Sequence, residues 1–476
     1  MTAEKVALKR EKEIRKWEKE QARPKRNLYM FYLLFTICLV YVTDEVASQI
    51  ATLMKAEIVS DLFARFGEKS VGMFDLLTMI SVPFMVLSML YKPLSDRFGR
   101  KIFLVINTFG MGVSMFIIFL SRNIVLYLVG ACICAFFTPH DMQVVYIMET
   151  APKKHRAKIY AFAKCMATLG ILLIPLLRRV FMTDASKWRM VYLVPALVGM
   201  GISAFALFSA RETDPFMESR LRYLRLTDEE RAREALEKDS KNAQGGIVSA
   251  LKFAFSHKQL RWLFISRALA EIGLLVTMEY EVILANGYAQ SYLADGTYAS
   301  ADAAMNAASV GPVTAALFLF PIGSALMQLT VGFISDKWGR KTACVLMSSL
   351  TLLSFIAFTI GAKHALSPYL VGFLAGACVG SFWGNGDTNE IMISESAPTN
   401  LRSSVMSAEL VATGVGCAVC YTIGVPLITH FGNSMTSAVT LCFAVPGLLF
   451  GLLTMLFKTH DTKDVDIDTV TGCEWD

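Results

Sequence analysis

Apolar residues in this chain are grouped into runs of about twenty, separated by polar and charged segments. A run of this length crosses the hydrocarbon core of a bilayer as a helix, which satisfies its own backbone polar groups. The pattern therefore predicts an all-α polytopic membrane protein. Its twelve spans, numbered 1 to 12 in chain order, are predicted near residues 28–52, 71–92, 101–121, 123–149, 156–181, 188–209, 260–285, 307–331, 341–362, 366–394, 402–429 and 434–457.

The polar segments divide the spans into two groups of six. Residues 1–27 alternate Lys or Arg with Glu and predict a cytoplasmic charged tail, which either touches lipid headgroups or is solvated. A polar, basic stretch at 210–259 predicts a cytoplasmic linker between an N-terminal bundle at 28–209 and a C-terminal bundle at 260–457. Residues 458–476 predict a second cytoplasmic tail.

Composition and charge support this assignment. Hydrophobic residues make up 54% of the 476 residues and charged residues only 18%, whereas soluble domains carry about 25% charged residues. The net charge of +6 does not indicate nucleic-acid binding, because most Lys and Arg lie in segments on one side of the predicted spans. By the positive-inside rule, this asymmetry places both termini and the linker in the cytoplasm of a cell-membrane protein.

A ten-residue signature occurs twice, 240 positions apart, between apolar runs. The copies read KPLSDRFGRK at 92–101 and GFISDKWGRK at 332–341. Such a repeat indicates two homologous halves. It therefore predicts a protein with two moving domains rather than a fixed membrane anchor. In each copy an acid at a helix exit can face the positive N-terminus of the next helix, and a glycine permits the tight reversal.

A second motif ends spans 4 and 10. It reads ETAP at 149–152 and ESAP at 395–398, 246 positions apart, and an arginine follows each copy. The same separation gives both helices an acid at a matching depth. The residues paired by this offset are Glu149 and Glu395, Arg156 and Arg402, and Asp141 and Asp387.

These motifs resemble the major facilitator superfamily over roughly residues 28–457, and the fourth-span motif resembles its sugar-porter and metabolite:proton symporter branches. Span 7 lacks the Gln-rich sugar-contact pattern of those branches. The resemblance implies two six-helix bundles whose cytoplasmic ends are locked by the signature loops. The alternative is that the Arg and Lys residues of these loops only set the topology. The expected gating residues are Asp96, Arg97, Gly99, Arg100, Glu149, Arg156, Asp336, Gly339, Arg340, Glu395 and Arg402.

Acids inside the predicted spans are candidates for proton coupling. A charge at the membrane centre costs about 2.5–3.5 kcal/mol on insertion scales, so an internal ionisable group is a functional hypothesis. Asp44 is favoured over its neighbour Glu45, because adjacent helical positions point about 100° apart; both could instead be solvated near the outer water layer. His140 and Asp141 of span 4 form a second candidate pair, unless they pair structurally with Lys164.

Polar residues of the spans are candidates for substrate binding. Arg267 could grip a carboxylate bidentately, or be neutralised by Glu271 four residues later. Glu409 is expected to pair with Arg402 or a neighbouring base. On apolar helices such residues also serve helix packing. The candidates are Gln49, Gln143, Lys164, Arg267, Glu271, Gln328, Trp383, Asn385 and Asp387.

Together these features predict a proton-coupled secondary active transporter of a small polar organic metabolite, with an organic acid as one option. The alternatives are a proton-driven exporter of drugs or metabolites, and a non-transporting solute sensor. No Gly-Lys-Ser/Thr phosphate loop is present, and the six His are scattered, so neither an ATP-driven enzyme, a cofactor nor a metal is expected. The expected partners are the substrate, protons and the lipid bilayer; we expect a monomer that binds no nucleic acid.

Overall fold

The computed structural model is mainly helical in the part of the chain that it describes, and no strand occurs in that part. The first helix, Ala3–Gln21, lies in the charged N-terminal segment. Two further helices, Asp214–Arg225 and Ile247–Ser256, lie in the predicted linker. The described residues are 3–22, 29–91, 94–138, 142–150, 156–227, 229–230, 233, 247–398, 401–463 and 465.

Within the described residues, eight helices are long and apolar enough to cross a membrane. They correspond to spans 1, 2, 3, 6, 8, 9, 11 and 12, which confirms the predicted all-α polytopic class. Their bounds are Phe31–Gln49, Ala64–Ser88, Arg100–Leu120, Ala185–Ser209, Ala301–Trp338, Arg340–Lys363, Ser404–Phe431 and Asn433–Lys458.

The other four predicted spans are also helical. Span 10 is the continuous helix Pro368–Glu395, and its inner half is polar. Spans 5 and 7 each consist of two helical segments, and two helical segments of span 4 are described. These segments are Ile124–Phe137 and Met142–Thr150, Arg156–Gly170 and Leu173–Phe181, and Lys258–Ala270 and Leu274–Ala294.

By packing, the chain forms two compact units. Unit 1 contains residues 1–50, 78–171 and 189–240; unit 2 contains 51–77, 172–188 and 241–476. Two segments from the first half of the chain, 51–77 and 172–188, thus belong to the unit that contains spans 7 to 12. The predicted bundles are defined by the repeat in the sequence, whereas these units are defined by which residues lie close together in space.

Small residues permit the tightest helix packing in unit 2. Gly372, Gly376 and Gly380 lie along span 10, against span 8. A Cβ at Gly376 would lie 1.9 Å from the carbonyl oxygen of Phe320, and one at Gly372 would lie equally close to that of Ala316. Backbones approach this closely only where a side chain is absent. Span 10 is therefore fixed against span 8, which positions its polar inner half.

The charged N-terminal helix of unit 1 is neither simply solvated nor free on a lipid surface. Its Trp17 is 6% exposed and packs edge-on against Phe216 of Asp214–Arg225, with ring centroids 5.4 Å apart. Glu13 also accepts a hydrogen bond of 2.7 Å from Arg220. The expected charged tail is helical, and its apolar side is covered by the linker helix.

Candidate functional site

The first signature loop reverses at Gly99, whose φ of +116° suits glycine. The next helix begins at once, and its exposed backbone N–H groups of Arg100 and Lys101 donate to the carboxyl of Glu212 over 2.9 and 3.2 Å. Burial raises the pKa of Glu212, although these backbone donors oppose the shift. The Arg100 side chain donates to Glu149 at 3.0 Å. The loop is therefore held by acids from two other elements.

The second signature loop has the same construction in unit 2. Gly339 has a φ of +104°, and the backbone N–H groups of Arg340 and Lys341 donate to Asp461 at 3.1 and 3.2 Å. The Arg340 side chain donates to Glu395 at 3.3 Å. Each half therefore caps the helix after its loop with an acid that follows its sixth span.

The structure describes the side chains of some of the remaining gating candidates but not of all of them. Asp336 contacts Arg340 at 2.7 Å. Arg402 donates to the backbone carbonyls of Ser394 and Ala397, so it holds the turn after span 10. The side chains of Asp96, Arg97 and Arg156 lie outside the described residues.

Arg267 is the centre of a charged site inside unit 2. It contacts Glu271 at 2.9 Å and Glu409 at 2.9 Å, and it also donates to Thr413 at 3.1 Å. The i,i+4 pairing of Arg267 with Glu271 is one of the arrangements expected from the sequence. Glu409, which was expected to pair with Arg402 or a neighbouring base, pairs with the neighbouring base Arg267 of span 7. Two carboxylates thus more than neutralise this arginine.

The helix of span 7 is interrupted beside this site. Residues Glu271–Gly273 form a 3₁₀ turn between the two helical segments. The Cys420 thiol lies 3.2 Å from the carbonyl oxygen of Ile272 and 3.6 Å from that of Glu271. The Cys420 thiol, a weak donor, thus reaches two carbonyl groups at the interruption. Broken helices of this kind tend to surround binding sites in transporters.

Span 10, which approaches Arg267 at Gly386, also carries buried amides. A Cβ at Gly386 would lie 2.7 Å from Nη1 of Arg267, so glycine is needed for their close approach. Asn385 and Asn389 are 5% and 0% exposed. Within the described part of the chain, neither side-chain oxygen accepts a hydrogen bond. A buried polar atom without a partner costs about 1–3 kcal/mol, so these amides are suited to accept a hydroxyl group or water.

In unit 1, Asp44 is 8% exposed within the apolar span 1. The Gln143 amide of span 4 donates to its Oδ2 at 2.9 Å. This burial disfavours the alternative that Asp44 is simply solvated. Glu45 is half-buried, as expected for a neighbour that points elsewhere around the helix.

The other candidates are dispersed. Gln49, Lys164 and Gln328 are half-buried, and Asp387 is exposed on span 10. Trp383 packs edge-on against Phe382, with centroids 5.2 Å apart, which favours a packing role for this tryptophan. His140 and Asp141 lie outside the described residues, and so does any pairing of Asp141 with Lys164.

Comparison with known proteins identifies the family to which this architecture belongs. The family model of the Major Facilitator Superfamily matches residues 30–305 and, again, residues 284–469. The chain belongs to the Major Facilitator Superfamily. As a member it is a multi-pass secondary transporter and not an enzyme. The sequence prediction of family and class is thereby confirmed.

Three similar proteins share from 16% to 21% of aligned residues with this chain. The chain is 21% identical over 392 residues to the glucose transporter GlcP of Staphylococcus epidermidis (strain ATCC 12228 / FDA PCI 1200), a match that covers 77% of this chain and 79% of that protein. The nucleoside transporter NupG is 17% identical, with a TM-score of 0.61 over 91% of this chain and 100% of that chain. A D-xylose-proton symporter is 16% identical, with a TM-score of 0.58 over 91% and 99%. At these identities the solved structures establish the shared fold.

Sequence reasoning missed a second charged group of this superfamily member. Lys55 and Glu57 follow span 1, and Arg178 lies near the end of span 5, where their charges look like ordinary solvated flanks. In unit 2 all three are at most 2% exposed. The available signal was Glu279 and Glu281 in span 7, because two acids in an apolar run require nearby bases.

Proposed function

We propose that this chain couples proton movement to the uptake of a small, neutral, hydroxyl-rich metabolite across a cell membrane. The observation that carries the proton coupling is the buried carboxyl of Asp44. It lies in an apolar helix, 8% exposed, and is hydrogen-bonded to the neutral amide of Gln143. A carboxyl in such a place can gain or lose a proton as its surroundings change.

The preference for a neutral cargo comes from the charge balance around Arg267. This arginine contacts both Glu271 and Glu409, so the group of three carries no surplus positive charge to attract a carboxylate. The organic-acid cargo suggested by Arg267 alone is therefore less favoured. The buried amides of Asn385 and Asn389 on span 10 are suited to hydroxyl groups instead, and transporters of glucose and xylose are among the similar proteins.

The cargo can be identified with purified protein in liposomes that contain a pH-sensitive dye. Sugars, nucleosides, carboxylates and amines are added outside, without an imposed gradient. We expect a sugar or nucleoside to acidify the interior. Acidification by a carboxylate only would contradict the proposed cargo, and alkalinisation by an amine would favour the proton-driven exporter.

We predict that Asp44→Asn abolishes cargo-driven acidification but retains exchange of labelled for unlabelled cargo. Asparagine preserves the size of the side chain but cannot carry the proton, so only the coupled step is lost. Glu45→Gln is the matched control, because it removes the adjacent, half-buried acid. Normal acidification by Asp44→Asn would remove this residue from the coupling mechanism.

A further inference from the structure

Unit 2 contains a buried group of ionisable side chains away from Arg267. The Lys55 ammonium donates to Asp75 Oδ1 at 2.6 Å and to Glu279 Oε1 at 2.5 Å. It also lies 3.4 Å from the carbonyl oxygen of Met278. One base thus joins the segment after span 1 to spans 2 and 7.

Arg178 joins a second set of elements. Its guanidinium contacts both carboxylate oxygens of Glu57, at 3.1 Å for Nη1 to Oε2. It also donates to Leu53 O at 2.6 Å and to Ser309 O at 3.0 Å. Glu281 Oε1 lies 3.8 Å from Nη1.

These six residues form one charge cluster, because Glu281 links its two parts. Glu281 Oε2 accepts the backbone N–H of Ala56 at 2.8 Å, and Ala56 lies between Lys55 and Glu57. No member is more than 2% exposed. The charge cluster consists of Lys55, Glu57, Asp75, Arg178, Glu279 and Glu281.

The charges of this cluster do not balance. Two bases face four carboxyls, which leaves two excess negative charges if every carboxyl is ionised. Within the described residues, Glu279 Oε2 and Glu281 Oε1 also have no hydrogen-bond partner. A buried, uncompensated charge costs several kcal/mol, so such a group normally takes up a proton.

Within the described part of the chain, the other titratable groups near the cluster do not correct this imbalance. Tyr280 and Tyr421 face it from spans 7 and 11. A phenol with an ordinary pKa of about 10 is neutral over the physiological range. The excess therefore remains with the carboxyls themselves.

We propose that the charge cluster is a proton-binding latch, whose carboxyls hold up to two protons while the segments of unit 2 are packed as observed. Each proton adds to a carboxylate to give a neutral carboxylic acid, and it comes from water. When the segments separate, water reaches the carboxyls and the protons are released. Closure therefore takes up protons, so low pH favours the closed latch and rising pH favours opening.

Close packing makes the cluster suitable as a latch. Asn433 Nδ2 donates to Ser70 Oγ at 2.7 Å, and Asn433 Oδ1 accepts from the N–H of Val71 at 3.0 Å. A Cβ at Gly72 would lie 2.0 Å from Thr429 Oγ1. The start of span 2 is thus fixed against the loop between spans 11 and 12, and the cluster members are almost fully shielded from solvent as the segments are packed.

The test measures opening of the cluster in the purified full-length protein as a function of pH. Ala56→Cys places a thiol at a buried position, 8% exposed, whereas Ser60→Cys places one at an exposed position of the same helix. Maleimide reacts with both, and the ratio of the two rates removes the intrinsic pH dependence of the thiol. The chain without either substitution gives the background from native cysteines.

We expect the ratio to rise with pH, by up to about tenfold per pH unit for each linked proton. Glu279→Gln cannot bind a proton and should lower that slope by one proton. Glu68→Gln is the matched control, because it removes an exposed acid of the 64–69 segment, and its slope should stay at the wild-type value. The measurement needs no cargo, so its outcome is independent of coupling through Asp44.

Three results would overturn the proposal. The first is a wild-type ratio that is constant from pH 5 to 9, which requires no variant to fold. The second is a wild-type slope in both Glu279→Gln and Glu281→Gln. The third is a ratio that responds to Na⁺ at constant pH, because a metal cation would then balance the excess charge in place of protons.

Discussion

Arg267 illustrates how a single residue can be charged inside an apolar helix. Its guanidinium is directed at Glu271 on its own span and at Glu409 on span 11, and Gly386 leaves the space that it occupies. The residue therefore depends on three elements. Its removal leaves two buried carboxylates without their shared base.

At this scale we predict that Arg267→Gln lowers the free energy of unfolding by about 3–5 kcal/mol, the usual cost of breaking a buried ion pair. Thermal unfolding of the purified protein measures the loss. The double variant Arg267→Gln/Glu409→Gln restores the original net charge of the site and should lose less than the single variant. A double variant that is less stable than Arg267→Gln would contradict the proposed charge balance.

At the scale of elements, the signature loops show one local solution used twice. Each loop reverses at a glycine with positive φ and starts a helix whose first N–H groups need acceptors. In both halves a carboxyl beyond the sixth span supplies them, although one is Glu212 and the other Asp461. The repeat therefore extends to residues that the ten-residue signature does not include.

We predict that Glu212→Ala and Asp461→Ala each destabilise the protein by about 1–2 kcal/mol, the usual value of a helix cap. The melting temperature of the purified variants is the measurement. Glu218→Ala is the control for Glu212, because that glutamate is exposed on the following helix. Equal melting temperatures for Glu212→Ala and Glu218→Ala would show that the cap contributes nothing.

At the scale of the whole molecule, the even number of predicted spans implies that both termini lie on one side of the membrane. The excess of Lys and Arg in the tails and the linker predicts that this side is the cytoplasm. The loop after Leu274–Ala294 then lies outside the cell. The charge cluster would open towards the same side.

We predict that Thr297→Cys reacts with a membrane-impermeant maleimide in intact cells, whereas Leu8→Cys reacts only after permeabilisation. Both positions are exposed, so access depends on the side of the membrane. The unsubstituted chain controls for native cysteines. Labelling of Leu8→Cys in intact cells would reverse the predicted orientation.

Much of the fold could be predicted because it depends on local patterns. Apolar runs identified the spans, and the repeated loop and the Glu-x-Ala-Pro motif identified the family. Even the contact between Arg267 and Glu271 follows from their spacing on one helix. The breaks in spans 5 and 7 were not predicted, since the glycine at each of them, Gly170 or Gly273, is also tolerated within a continuous helix.

The long-range part of the sites could not be predicted. Glu409 lies 142 positions from Arg267, and Arg178 lies 121 positions from Glu57, so nothing local joins them. Lys55 and Arg178 lie near the ends of spans, where basic residues usually mark topology. Their burial depends on the neighbours that packing provides.

The sequence by itself determined the class of this protein, its repeat and its spans, because the bilayer imposes length and polarity on each segment separately. Only the tertiary structure decided which charges are neutralised and which remain in excess. Charge balance depends on distances of a few ångströms between segments that are far apart in the chain. Arg267 is thus neutralised by two carboxylates and is not a free anion ligand. Lys55 and Glu57, which look like loop charges in the sequence, are part of a buried cluster.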